Sequence, residues 1–170
     1  EECMLLANRV VAEEIPKKLP KKYPFVYRVH ADPDQKDVLR FTNLLKILNL
    51  GIHIPKGELT PNDIKNVLKH VEDSPYRSLI ENVALRTMSK AEYSMKNQGH
   101  FGLAFNHYTH FTSPIRRYPD LMVHRMIKML CNKSIQEAEA WRELMLKSIM
   151  ISNEVELKAL SAEREYIKMK

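Results

Sequence analysis

The segment Thr112-Ser113-Pro114-Ile115-Arg116-Arg117 concentrates the residue types that grip phosphate. Ser113 is a good N-cap and Pro114 is the type favoured at the first helical position. Together they predict a helix start whose unpaired N–H groups and dipole converge on one point. Such an end attracts anions, and Arg116 and Arg117 add guanidinium forks whose planar geometry fits phosphate bidentately. Two neighbours leave the assignment open at this level. Pro119 would kink or restart the helix, and Asp120 offers either arginine a carboxylate partner.

Other chemically capable side chains surround this segment. Tyr108, Phe111 and Tyr118 could stack on bases, since a π-face suits any base, although aromatics in such a stretch more often pack in a core. His107, His110 and His124 could serve as ligands or acid–base groups. His107 and His110, three apart in a strand or loop, present no common face, so structural roles are expected of them. Asp32 and Asp34 stand where a helix begins, and capping accounts for them. Cys3 and Cys131 lie far apart with no C-x-x-C pairing, so neither a disulfide framework nor a zinc site is indicated, and two reduced, mostly buried thiols in a reducing compartment are expected.

The elements that must position these groups follow from periodicity. Glu1 opens directly into an amphipathic pattern through Met4, Leu5, Val10, Val11 and Ile15, with no cap residue or initiator methionine, so a longer parent chain is expected. Pro16, Pro20 and Pro24 interleave with Lys17, Lys18, Lys21 and Lys22, predicting an extended basic connector that is either solvated or in contact with phosphate. Phe25 to His30 alternates like a short strand. Asp32-Pro33 predicts a helix through Val38, Phe41, Leu45 and Leu48 to Gly51, and Thr60-Pro61 another through Ile64, Val67 and Val71. A third begins near Ser74-Pro75 and runs to Met88. From His100 to Thr112, Gly99, Gly102 and the aromatics favour strand or tight loop. A helix returns beyond Tyr118 through Leu121, Met126 and Leu130, and a last one runs from about Ser134 to the end. The fold class is α+β, mainly helical.

At 170 residues, with 44% apolar and 28% charged residues, the chain has the balance of one globular domain. A net charge of +6 is compatible with a polyanionic partner and also with plain solubility. There is no apolar run of about 18 residues and no signal-peptide start, so a cytoplasmic protein with no membrane partner is expected.

The run His107-Tyr108-Thr109-His110-Phe111-Thr112-Ser113-Pro114-Ile115-Arg116-Arg117-Tyr118-Pro119-Asp120-Leu121-Met122-Val123-His124-Arg125 resembles the signature of the ribonuclease II/ribonuclease R (RNB) catalytic domain. Asn97 to Ala104 is similar to the stretch that precedes it in the ribonuclease R branch. Glu1-Glu2-Cys3-Met4-Leu5-Leu6-Ala7-Asn8 resembles the family's E-E-x-M-x-x-A-N helix, and Ser161-Ala162-Glu163-Arg164 the A-E-R that closes the domain.

The resemblance implies a processive 3′→5′ exoribonuclease that hydrolyses single-stranded RNA to nucleoside 5′-monophosphates with a divalent metal, usually Mg²⁺. By the same resemblance, Arg116 matches the arginine at the phosphate beside the scissile bond and Arg117 a second backbone contact, and Ser113 at the expected helix start is a candidate RNA contact. Glu1 or Glu2 would lie near the 3′-terminal nucleotide, Tyr108 and Tyr118 are candidate RNA contacts, and Glu163 would lie near the RNA path. The family's metal-binding aspartates belong to the earlier half of the domain. Asp32, Asp34, Asp37, Asp63, Asp73 and Asp120 do not reproduce their pattern, so Mg²⁺ is expected on aspartates outside this chain and no metal ligand within it. Residues 1–170 would thus be the C-terminal part of the catalytic domain, without the metal-binding half or the cold-shock and S1 modules. The expectation is an inactive piece of a monomeric enzyme. The alternative is an RNA-binding domain of a catalytically dead relative, which an aspartate cluster upstream of Glu1 would exclude. A helical protein-interaction domain would instead pair both arginines with carboxylates away from any cleft.

Overall fold

The computed structural model describes residues 1–20, 23–52, 54, 59–132 and 138–169, arranged as two compact units. The first unit comprises Glu1–Val29, Glu92–Gly99 and Phe105–Lys170. Its helix α1 spans Glu2–Lys18 and passes through Pro16 instead of stopping there. Pro16 sits in the last turn, where the lost N–H costs a single bond, and Lys17 and Lys18 complement the negative end of the dipole. The expected connector therefore starts only at Leu19, which is extended; Lys21 and Lys22 lie outside the described residues. The buried face of α1 is also not the most apolar one: Asn8 and Ala12 are covered, whereas Met4 and Val10 are exposed, and Cys3 of α1 and Cys131 are exposed instead of buried as expected.

Strand β1, Tyr27–Val29, pairs antiparallel with β2, Glu92–Ser94, in the register Tyr27↔Ser94, Arg28↔Tyr93 and Val29↔Glu92. The first strand was anticipated within Phe25 to His30, and the second was not. Helix α5 covers Tyr118–Cys131 and α6 covers Ala138–Met169; the expected start of α6 at Ser134 lies outside the described residues. The core gathers Phe25, Val26, Tyr93, Met122, Met126, Trp141 and Met145. Asn153 of α6 completes the sheet like a third strand. Its Oδ1 accepts the Tyr93 N–H at 2.9 Å and its Nδ2 donates to the Tyr93 carbonyl at 3.0 Å.

The second unit comprises His30–Ala91 and His100–Ala104. Helix α2 spans Gln35–Ile47 and starts later than Asp32-Pro33 suggested, because Asp34 is the residue that caps it. Helix α3, Pro61–His70, begins at the Thr60-Pro61 signal and is closed by a capping box between Thr60 and Asp63. Helix α4 spans Arg77–Thr87 after a turn in which Ser74 Oγ accepts the Tyr76 N–H. Phe41, Leu45, Val67, Val71, Ile80 and Ala84 form the core, closed by Phe101 from a 3₁₀ turn at Phe101–Leu103. Gly102 is required there: its N–H donates to His30 Nδ1 at 3.1 Å, and a Cβ would stand 2.8 Å from that nitrogen. The fold is α+β and mainly helical.

Candidate functional site

The Ser113–Arg117 segment is a turn and not the first turn of a helix. Helix α5 starts at Tyr118, with Pro119 in its opening turn and Arg117 as N-cap. Pro119 decides this, because its ring and missing N–H suit a helix start and would disrupt an interior. Ser113 therefore caps nothing through its side chain. Its carbonyl accepts the Arg116 N–H at 3.3 Å and the Arg117 N–H at 3.1 Å, closing the turn. Its own N–H donates to Asp120 Oδ2 at 2.8 Å.

The turn borders a cavity of about 480 Å³ in the first unit, lined by Tyr93, Arg116, Arg117, Tyr118, Pro119 and the Ile151–Ala159 stretch of α6. Charge around it is uneven. Arg117 Nη2 donates to Asp120 Oδ2 at 2.8 Å, and that carboxylate is fully buried. Glu156, on the α6 wall, takes both Nη groups of Arg28 at 2.7 Å in a bidentate pair. Arg28 also lies 4.6 Å over the Tyr93 ring. Arg116 is exposed and has no carboxylate partner among the described residues. The Arg28 and Arg117 guanidinium groups are thus neutralised, and of the two arginines lining the cavity Arg116 carries the uncompensated charge. Tyr93 remains a neutral phenol near neutral pH: burial pushes it up to about 12, against the opposing pull of Arg28, and its hydroxyl meets His110 Nδ1 at 2.8 Å.

The preceding residues hold the turn against α1 and α5. Asn8 Nδ2 donates to the Tyr108 hydroxyl at 3.1 Å, and Asn8 Oδ1 accepts the Phe111 N–H at 2.9 Å. Thr109 Oγ1 donates to the Val26 carbonyl, and His124 Nε2–H to the Phe111 carbonyl, with the His124 ring stacked on Phe111. His110 and His124 accordingly make packing and hydrogen-bond contacts within the unit.

The cavity brings Arg116, Arg117 and Tyr118 together, with Ser113 at the base of their turn. Tyr118 is exposed beside Arg116, with the Arg125 guanidinium 6.0 Å from its ring centre. Tyr108 departs from the expectation that it contacts RNA: it is 5% exposed and packed beside Phe105 and His110, so its face is not open to a base. Glu1 and Glu2 are exposed at the start of α1. Glu2 borders a separate depression of about 280 Å³ with Cys3, Leu5, Leu6, Arg9 and Phe105. Glu163 is exposed on α6 and does not line the cavity. Among the described residues no group of three or more His, Cys, Asp or Glu side chains is gathered to hold a metal ion. Sequence reasoning did not single out Asn8, Asn153 or the Arg28–Glu156 pair. For Asn8 the available signal was its place as the last residue of the E-E-x-M-x-x-A-N match.

Residues 1–133 match the RNB domain family. Ribonuclease R of Buchnera aphidicola subsp. Schizaphis graminum is 44% identical over 134 residues, which is 78% of this chain and 18% of that protein. Mycoplasma genitalium RNase R, solved in complex with ribose-methylated single-stranded RNA, shares the fold with a TM-score of 0.82 at 31% identity. It covers 96% of this chain, which spans 26% of that one. Yeast Ssd1, described as a pseudonuclease, matches with a TM-score of 0.72 at 28% identity over 89% of this chain and 18% of its own. The chain therefore spans about a fifth to a quarter of the length of these relatives.

Proposed function

Because the chain belongs to the RNB domain family, we propose that residues 1–170 form the C-terminal part of the catalytic domain of a longer 3′→5′ exoribonuclease. It hydrolyses single-stranded RNA to nucleoside 5′-monophosphates. The observation that carries this is Arg116, the uncompensated guanidinium on a turn tied down at both ends and facing a cavity.

The guanidinium fork of Arg116 holds the non-bridging oxygens of the phosphate beside the scissile bond. As water adds to phosphorus and the P–O3′ bond breaks, charge on those oxygens rises, and a preorganised donor stabilises that state more than the bound substrate. The bond leaves a 3′-hydroxyl on the shortened strand. Tyr118, exposed beside Arg116, offers a face on which a base can stack. Glu1 and Glu2 stand outside the cavity, one of them proposed to lie near the 3′-terminal nucleotide, and Glu163 is proposed to lie near the RNA path. Mg²⁺ is the cation proposed for the reaction. The described residues of this chain do not fit a metal site, so it would be held elsewhere in the parent. The parent is proposed to be a cytoplasmic monomer; no helix among the described residues is long and apolar enough to cross a membrane.

A second reading, an RNA-binding domain in a catalytically dead relative, is favoured by the likeness to yeast Ssd1. Incubating the full-length protein with Mg²⁺ and single-stranded RNA labelled at its 5′ end separates the two. Stepwise shortening from the 3′ end with release of 5′-monophosphates supports the nuclease. Binding without release supports the second reading, and internal cleavage contradicts both.

A further inference from the structure

Asp120 is fully buried beside a proposed phosphate site, where a free carboxylate would repel the ligand. Its place on α5 accounts for its Oδ2, while Oδ1 is buried with no hydrogen-bond partner among the described residues. With Arg117 as N-cap, Asp120 is the third helical residue, in the turn where the helix dipole favours negative charge. In a capping box the side chain at this position reaches back to the N-cap backbone N–H. Here it reaches further, to the Ser113 N–H at 2.8 Å, and takes the N-cap's own guanidinium at 2.8 Å. Ser113 in turn accepts the N–H groups of Arg116 and Arg117 through its carbonyl. The Ser113 peptide is thus gripped on both sides, and Arg116 sits in the loop between the two grips.

Resting on the reading of Arg116 as the phosphate contact, we propose that Asp120 and Arg117 are positioning residues that aim Arg116, and that Arg117 is a strut in place of a second RNA contact. Three observations support the division of labour. Arg117 is one-fifth exposed and spends its charge on a buried carboxylate, whereas Arg116 is exposed and unpaired among the described residues. Asp120 Oδ2 is shared by the turn's N–H and the strut, so removing the strut loosens the turn's anchor. A buried carboxylate that cancels the neighbouring arginine also leaves Arg116 as the unpaired guanidinium of the turn, so a phosphate meeting the turn has one arginine to settle on.

The proposal predicts a split that general destabilisation would not give. In the full-length protein, Asp120→Asn keeps an acceptor for the Ser113 N–H but frees Arg117 to swing toward phosphate. Cleavage at saturating RNA should fall about 10- to 100-fold, the scale of a misplaced catalytic group. Affinity for a single-stranded oligoribonucleotide should stay within about threefold or tighten, because no phosphate contact is lost. The decisive measurement is the double-mutant cycle: in an Arg116→Ala background, Asp120→Asn should slow cleavage no further, since it acts only through Arg116. Should Asp120→Asn not fold, Arg117→Gln tests the same link from the exposed side. It should reduce cleavage in the wild-type background alone and leave the salt dependence of binding unchanged. Equal losses from Asp120→Asn with and without Arg116 would overturn the positioning role. So would wild-type cleavage by Asp120→Asn, or a weaker salt dependence in Arg117→Gln. If Arg116→Ala itself leaves cleavage unchanged, the phosphate contact fails, and that outcome is distinct from a slow Arg116→Ala combined with a normal Asp120→Asn.

Discussion

Asn8→Ala tests whether the α1 motif serves to anchor the signature loop. The Asn8 side chain is 4% exposed and makes two bonds across about a hundred residues of sequence, to the Tyr108 hydroxyl and the Phe111 N–H. Removing it leaves the Phe111 N–H, half-buried against the core, without its acceptor, at a cost of about 1–3 kcal/mol. It also deprives the Tyr108 hydroxyl of a donor, roughly 0.5–1.5 kcal/mol more. A loss of about 2–4 kcal/mol is expected, equivalent to a fall in Tm of roughly 4–16 °C for a chain of this size. Thermal and urea denaturation of the 170-residue chain, followed by circular dichroism, measure it. Asn8→Asp retains an acceptor for Phe111 but loses the donor to Tyr108, and should fall between wild type and alanine. A loss from Asn8→Ala below about 0.5 kcal/mol, typical of a surface substitution, would refute the anchoring role.

Burial raises the Tyr93 phenol to about 12, so the folded state keeps a proton that the unfolded chain loses near 10. Stability from this group is therefore complete below about pH 10 and declines between about 10 and 12, by about 1.4 kcal/mol per unit. Urea midpoints across that range should fall less steeply in Tyr93→Phe, and identical slopes would exclude the assignment. Thr60→Ala removes one half of the α3 capping box and should cost about 1 kcal/mol in the same denaturation assay, with a change under a few tenths counting against it. The purified 170-residue chain should release no nucleotides from labelled single-stranded RNA with Mg²⁺, because its described residues gather no metal-holding cluster. Metal-dependent 5′-monophosphate release would relocate the catalytic centre into this chain.

Where local chemistry decides structure, the sequence was legible. Thr60-Pro61 announced α3 because a capping box satisfies its orphan donors within four residues. The α5 core position Met126 followed from helical spacing, whereas the fully buried Met122 beside the expected Leu121 did not. Legibility failed where distant partners decide. Strand β2 is three residues long and owes its place to β1 and to the Asn153 side chain from sixty residues on. Ser-Pro at 113–114 carries every local mark of a helix start, but Pro119 and the buried Asp120 claim that start for Tyr118. At the site, the phosphate-gripping character of the arginines was visible from residue type. Which arginine remains unpaired was not, since it depends on the geometry by which Asp120 reaches Arg117 and leaves Arg116 alone.

The central claim is that Arg116 contacts the phosphate under attack, and single-turnover cleavage alongside equilibrium RNA binding tests it most directly. The comparison uses Arg116→Ala and Arg116→Lys in the full-length protein at one fixed salt concentration. Loss of one charge-stabilising donor should slow cleavage of saturating RNA about 10²- to 10³-fold. Affinity should fall less, because other phosphate contacts share the salt-dependent total. Lysine should restore little, since an ammonium keeps the charge but loses the fork. An Arg116→Ala protein that binds RNA far more weakly yet, once saturated, cleaves at the wild-type rate would contradict the claim and reduce Arg116 to a contact that only holds the strand.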